Sequence, residues 1–181
     1  QELYKKGKFN IRLLARDSRK NHKMLDRYAS DPSVTVIWGD LTRYEDVLEG
    51  VKGSDYVLHV GGMVSPAADY YPEKTLKVNV GSAENVVKAV LAQDNASEIK
   101  VVYIGSVAQY GDRNPPHHWG CASEPQVPAK FDMYALSKIC AEQVFASAGL
   151  EYFVSLRQSG ILYPGILGVV NPTAFHVPMG G

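Results

Sequence analysis

Val101-Val-Tyr-Ile104 runs on to Ser106, and Tyr134-Ala-Leu-Ser-Lys138 follows farther along the chain. The first stretch has the continuous apolar character of a buried strand, and it runs out at a serine. The second lies in a helical pattern. Residues four apart share one helix face, so Tyr134 and Lys138 project together. A serine at a strand end, with tyrosine and lysine on the following helix, assembles a carbonyl-reducing site. The spacing alone does not decide this, because Tyr-x-x-x-Lys occurs at Tyr4/Lys8, Tyr70/Lys74 and Tyr134/Lys138. An amphipathic helix with a packed tyrosine and a solvated lysine accounts for any one of them. The first has no strand before it within the chain. The second contains Pro72, which suits a helix start better than a helix interior. Only the third has the Ser106 context.

Outward from these stretches the chain alternates strand-like and helix-like segments. Gln1 to Lys8 reads as the tail of a helix that breaks at Gly7. Ile11–Ala15, Val34–Trp38, Tyr56–Val60, Lys100–Ile104 and Tyr152–Leu156 read as strands. Helices are expected over His22–Ala29, from a capping box at Thr42-Arg-Tyr-Glu45 to a stop at Gly53, over Pro72–Leu91 and over Asp132–Ala148. In the third of these, Leu76, Val80, Ala83, Val87 and Val90 recur at three and four. Gly111 to Phe131 is a long loop. Alternating β and α units with apolar strands predict an α/β fold, a doubly wound parallel sheet. Val101–Ile104 and Tyr56–Val60 are expected at its centre. Ligands of such sheets bind outside the carboxyl ends of the strands. Arg16, Asp40, Gly61, Gly62 and Ser106 all fall there, although polar turns at strand ends are also ordinary.

The chain has 181 residues, no net formal charge, 45% hydrophobic and 21% charged residues. Those are the proportions of a globular domain. No basic stripe suggests nucleic acid as a partner, and no apolar run approaches a membrane span. The two cysteines, Cys121 and Cys140, form no CxxC pair, so free thiols and a reducing, cytoplasmic location are expected. The first residue is not Met and the last follows an apolar stretch with no evident stop. Both ends are expected to be cuts.

Seven stretches together resemble the extended short-chain dehydrogenase/reductase family, which includes sugar-nucleotide epimerases, dehydratases and dihydroflavonol-type reductases. They are Arg12-Leu-Leu-Ala-Arg-Asp17, Gly39-Asp-Leu41, Val57-Leu-His-Val-Gly-Gly62, Asn79-Val-Gly-Ser-Ala-Glu-Asn-Val86, Tyr103-Ile-Gly-Ser-Val-Ala-Gln-Tyr-Gly111, Tyr134-Ala-Leu-Ser-Lys138, and Leu156-Arg157 through Tyr163-Pro164. The resemblance covers nearly the whole chain. It implies a Rossmann-like domain over 1–164, truncated at both ends, with 165–181 beginning a substrate-binding region. The family's glycine-rich phosphate loop is absent, and its first strand and loop are expected upstream. Gly61-Gly62 stands where many members carry alanines, which allows closer backbone approach.

The resemblance implies hydride transfer between a nicotinamide ring and a carbonyl or alcohol carbon. Tyr134 is then the general acid/base. A phenol is a poor base at neutral pH, and a nearby ammonium such as that of Lys138 favours the phenolate. By resemblance Lys138 also holds the nicotinamide ribose. Ser106 is expected to polarise the substrate oxygen. Asn79 reads equally as a surface asparagine from its helix, and by resemblance helps order a proton relay. Arg16 ends the strand that meets the adenosine ribose, where Arg suits a 2′-phosphate. NADP is therefore preferred over NAD, with Asp17 one residue on as the counter-indication. Asp40 and Leu41 resemble the family's adenine contacts, and Gly61 and Gly62 complete the cofactor-binding set. A small-molecule substrate, a sugar nucleotide or a small ketone or aldehyde, and a homodimer are the expected partners. The alternative is a non-catalytic dinucleotide-binding or sensing relative, with this polypeptide itself inactive.

Three further features carry no site. His117-His118-Trp119 has no third ligand at metal spacing. Cys121 has no identifiable base beside it. His59, within a strand, is expected to be buried and hydrogen-bonded.

Overall fold

The computed structural model describes residues 2–113, 116 and 121–160. Helix α1 (Glu2–Lys5) leads through Gly7 into β1 (Ile11–Ala15). Then follow α2 (Arg19–Leu25), β2 (Val34–Trp38), α3 (Tyr44–Val51), β3 (Tyr56–His59), a short α4 (Ala67–Tyr70), α5 (Pro72–Leu91), β4 (Lys100–Ser106), α6 (Met133–Ala146) and β5 (Tyr152–Gln158). Every strand pairing is parallel. The expected alternation is borne out. The segments expected at Ile11–Ala15, Val34–Trp38 and Pro72–Leu91 carry the observed bounds.

The strands divide into two sets. β1 pairs with β2 from Ile11↔Val34 to Ala15↔Trp38. β4 lies between β3 and β5, in register from Tyr56↔Lys100 and from Lys100↔Tyr152. β4 is central, as expected. β3 is not: among the described strands it pairs with β4 alone, because no described strand bonds to both β1 and β3.

The two sets are tied by helices. Ile99, Val101 and Tyr103 around β4 pack with Val86 and Val90 of α5, Ala141 and Phe145 of α6, and Val47 and Val51 of α3. Ala83 and Ala89 are fully buried on α5, where small side chains let layers approach. In the β1–β2 sheet helices cover both faces. Leu14 meets Gly50 of α3 and Arg12 bonds the Glu49 carbonyl, while Val34, Val36 and Trp38 share a cavity with α2. Side chains alternate across a strand, and that places α2 and α3 on opposite sides. In the other sheet, Tyr56, Leu58 and Val60 and then Tyr152, Val154 and Leu156 are each about half exposed.

Four local expectations are corrected. Thr42 does not cap α3; its hydroxyl donates to Asp40 Oδ1, and Asp46 within α3 accepts from the Asp40 N–H instead. The helix expected over His22–Ala29 begins earlier, because Ser18 Oγ accepts from the Asn21 N–H as a cap, and it passes into a 3-10 turn at Asp26–Tyr28. α4 has no counterpart in the sequence reading. The stripe buried on α5 also differs: Leu76 is 38% exposed, whereas Thr75, Asn79 and Ser82 are buried. Their polar atoms find partners in α4 and the residue after it, in the loop after β3, in the last residue of β3 and in α6. Thr75 Oγ1, for example, donates to the carbonyls of Ala68 and Tyr71. Among the described residues no helix is long and apolar enough to cross a membrane.

Candidate active site

Asp132 starts the helix that carries the tyrosine and lysine. Its carboxylate accepts from the Ala135 N–H at 2.7 Å, as the sequence predicts. One turn in, Lys138 is 5% exposed and donates from Nζ to the Ile104 carbonyl at 2.8 Å. The ammonium lies 5.0 Å from the Tyr103 ring centroid and 5.8 Å from that of Tyr134. Burial lowers the Lys138 pKa to about 8, so the charged form still prevails at neutral pH. Only one of its three N–H donors is spent on Ile104.

Ser106 ends β4, two residues past Ile104. Its Oγ accepts from the Ala108 N–H at 3.2 Å and caps the 3-10 turn Val107–Tyr110. Its hydroxyl proton has no acceptor among the described residues. The other two Tyr-x-x-x-Lys matches do not put both side chains on one helix. α1 ends at Lys5, before Lys8, and Tyr4 donates to Asp31 at 2.7 Å. Tyr70 closes α4 while Lys74 belongs to α5.

Asn79 is buried, not a surface residue. Its Oδ1 accepts from the Met63 N–H at 2.6 Å; its Nδ2 donates to the Met63 carbonyl at 3.0 Å and to Ser137 Oγ at 2.8 Å. Ser137 in turn donates to the Tyr134 carbonyl at 2.8 Å. The side chain therefore clamps the loop after β3 to the helix of Tyr134.

A cleft of about 580 Å³ opens at the carboxyl ends of β1, β2 and β3, and Arg16, Asp40, Leu41, Gly61 and Gly62 all line it. Leu13, Leu14, Met63 and Val78 supply apolar wall, and Lys74 a second cation. The glycines are set by close approach. A Cβ on Gly61 would sit 2.3 Å from Leu41 Cδ1, and one on Gly62 2.9 Å from Asn79 Oδ1. Asp40 stays ionised below the usual carboxylate range because the Thr42 N–H and hydroxyl both donate to it, with Arg16 and Arg43 adding attraction. Asp17 does not line the cleft; its carboxylate pairs with His22 Nε2 at 2.8 Å. A polar and apolar groove at strand ends, with two cations and bare backbone at Gly61-Gly62, fits a dinucleotide.

His59 is buried, bonded to Ser82 Oγ at 3.2 Å, and pushed down to about 4 by burial and then by Lys138. Cys121 is exposed and Cys140 half-buried. His117, His118 and Trp119 lie outside the described residues, as do Tyr163, Pro164 and the boundary expected after them.

The sequence reading missed a buried polar group behind Ser106. Glu142 Oε2 accepts from Gln109 Nε2 at 2.9 Å, Ser155 Oγ at 2.6 Å and Arg157 Nε at 3.1 Å. Its other oxygen accepts from Gln126 Nε2 at 2.9 Å and from the Arg157 fork. Arg157 also donates to Tyr110 Oη and the Ala122 carbonyl. Burial would raise the Glu142 pKa, but the donors from Arg157, Ser155, Gln109 and Gln126 prevail and bring it to about 2. One signal was available. Glu142 extends the Tyr134, Lys138 series by another step of four.

Comparison with known proteins agrees with the fold. The model of the NAD dependent epimerase/dehydratase family matches residues 1–165. A UDP-glucose 4-epimerase of Rickettsia akari is 33% identical over 98 residues, 53% of this chain and 27% of the relative. A 3 beta-hydroxysteroid dehydrogenase type 7 of Rattus norvegicus is 31% identical over 146 residues, 80% of this chain and 42% of the relative. The chain thus spans less than half the length of these relatives. Among solved structures, the UDP-Glc/GlcNAc 4-epimerase of Campylobacter jejuni superimposes with a TM-score of 0.72 at 20% identity, over 86% of this chain and 47% of its own. WbmH of Bordetella bronchiseptica, in complex with NAD+, gives 0.70 at 22% identity, over 90% and 51%. RMD of Pseudomonas aeruginosa, complexed with NADPH, gives 0.65 at 20% identity, over 87% and 55%.

Proposed function

We propose that this chain, which belongs to the NAD dependent epimerase/dehydratase family, supplies the dinucleotide cleft and the Ser106-Tyr134-Lys138 site of an enzyme acting on a carbonyl or alcohol carbon. Bound in the cleft, the nicotinamide dinucleotide supplies the hydride donor or acceptor. Tyr134 gives a proton to the substrate oxygen in reduction and takes it in oxidation. Lys138 stands one turn away with its ammonium 5.8 Å from the Tyr134 ring centroid, and its remaining N–H donors are available to a ribose. Ser106 donates its hydroxyl proton to the same substrate oxygen and stabilises charge that develops there. Asn79 holds the loop after β3 against this helix, and from there is proposed to help order a proton relay.

The observation that carries this reading is the buried ammonium of Lys138, held beside Ile104 at the end of the strand that delivers Ser106. A lysine kept charged in such surroundings costs free energy, and structural packing alone would favour an apolar side chain. NADP is the preferred cofactor, because Arg16 lines the cleft while Asp17 is engaged by His22. Sugar nucleotides head the substrate panel, because UDP-glucose 4-epimerases are among the relatives, followed by small ketones and aldehydes. The test is absorbance of reduced cofactor in the full-length protein, wild type against Tyr134→Phe. Equal rates across the panel would overturn the assignment. A homodimer is the proposed assembly, and sedimentation of the full-length protein tests it.

A further inference from the structure

We infer that Gln109 is a positioning residue for Ser106, anchored on the catalytic helix by Glu142. This rests on the Ser106-Tyr134-Lys138 reading. Gln109 is fully buried and both ends of its amide are used. Oε1 accepts from the Ser106 N–H at 2.8 Å and Nε2 donates to Glu142 Oε2 at 2.9 Å. The amide has one possible orientation, because an ionised carboxylate only accepts and a backbone N–H only donates. Glu142 remains a carboxylate through the physiological range, held by Arg157 and Ser155 of β5 and by Gln126.

Glu142 stands one turn beyond Lys138 and two beyond Tyr134. A single amide therefore links the backbone of the serine to the helix that carries the other two groups. The link admits little play. A Cβ at Gly105 would fall 2.6 Å from Gln109 Oε1 and 3.1 Å from Ser155 Oγ and Arg157 Cγ, so the strand presses directly on it. Small displacements of a catalytic donor cost rate far more than they cost binding. The bond from the Ser106 N–H to Gln109 also closes a capping box on the Val107–Tyr110 turn, so loss of stability alone does not separate the two roles and turnover must be read beside it.

The test is a double-mutant cycle on turnover in the full-length protein, with cofactor affinity read separately from the fluorescence of bound NADPH. Ser106→Ala is expected to lower turnover roughly 10²-fold. Gln109→Leu is expected to lower it about tenfold or more and to shift the dissociation constant less than about twofold. In the Ser106→Ala background, Gln109→Leu should then cost less than about twofold, since the group it positions is gone. Losses that multiply, or a matching loss of NADPH affinity, would overturn the inference. Gln109→Glu covers a failure of the leucine variant to fold. Its added carboxyl can replace the amide only when protonated, so its activity relative to wild type should rise as pH falls. A flat ratio would overturn the inference. If Tyr134→Phe retains full activity in the same assay, the underlying site reading fails instead, and the two failures are told apart.

Discussion

The ammonium of Lys138 lies 2.8 Å from the carbonyl oxygen of Ile104, two residues before the strand delivers Ser106. Helix and strand are thus joined at the point where the chemistry is proposed, by a residue proposed to take part in it. Lys138→Met keeps most of the packing volume and removes both roles. It should weaken cofactor binding and lower turnover together, the latter by about 10²-fold or more. Equilibrium dialysis and initial rates separate the two effects, and unchanged affinity would remove the ribose role.

Tyr134→Phe removes a proton donor and keeps the ring. Turnover should fall about 10²-fold with cofactor affinity nearly unchanged. Tyr70→Phe is the matched control, since Tyr70 and Lys74 sit on different helices. It should leave turnover unaltered. A comparable loss at Tyr70 would mean that spacing, and not placement on α6 beyond Ser106, had been tracking function.

Arg16→Ala should weaken NADPH roughly 10- to 150-fold and NADH hardly at all, the scale of a charge-assisted contact to phosphate. Asp17→Asn should leave the ratio of the two affinities in place, because that carboxylate is paired with His22. Parallel losses for both cofactors with Arg16→Ala would show that it does not read the 2′-phosphate.

Gly61 and Gly62 should respond differently to alanine. The Cβ at 61 meets the end of the flexible Leu41 side chain, which can turn away, so stability should barely change. Because Leu41 lines the cleft, cofactor affinity should fall. The Cβ at 62 meets Asn79 Oδ1, which is fixed by the Met63 N–H. Gly62→Ala should cost about 1–3 kcal/mol in urea unfolding. Equal stabilities for the two variants would refute the distinction.

His59 sets an acid limb. It titrates near 6.5 when unfolded and about 4 when folded. Between those values the unfolded chain binds more protons, so stability is kept above pH 6.5 and falls as pH drops toward 4. The loss amounts to about 3 kcal/mol. Glu142 adds a second, lower limb, present above pH 4.5 and lost as pH falls toward 2. His59→Gln should flatten urea stability between pH 6.5 and 4 without touching the lower limb. An unchanged slope would place the acid sensitivity elsewhere.

Strands and the long helix were legible because their signals are local: β-branched runs, Pro72 at a helix start, Asp132 at a cap. The cleft was legible because strand ends gather ligand groups whatever lies between them. Other features depended on partners distant in sequence. Asn79 looked like a poor helix residue until Met63 and Ser137 supplied its bonds, and Thr42 looked like a cap until Asp40 took its hydroxyl. Gln109, Glu142 and Arg157 are unremarkable singly in a sequence, and only the parallel register that brings Ser106 opposite Gln158 sets them together.

The row of half-exposed Tyr56, Leu58 and Val60, with Tyr152, Val154 and Leu156 across β4, bears on how this polypeptide behaves in a tube. Six large apolar side chains on one pleated face make an adhesive surface. Solubility will then depend on concentration and salt as much as on the strength of the fold. A hydrophobic dye will light up on the native state, so dye-based melting curves will begin from a high baseline and intrinsic tryptophan emission is the better probe of unfolding.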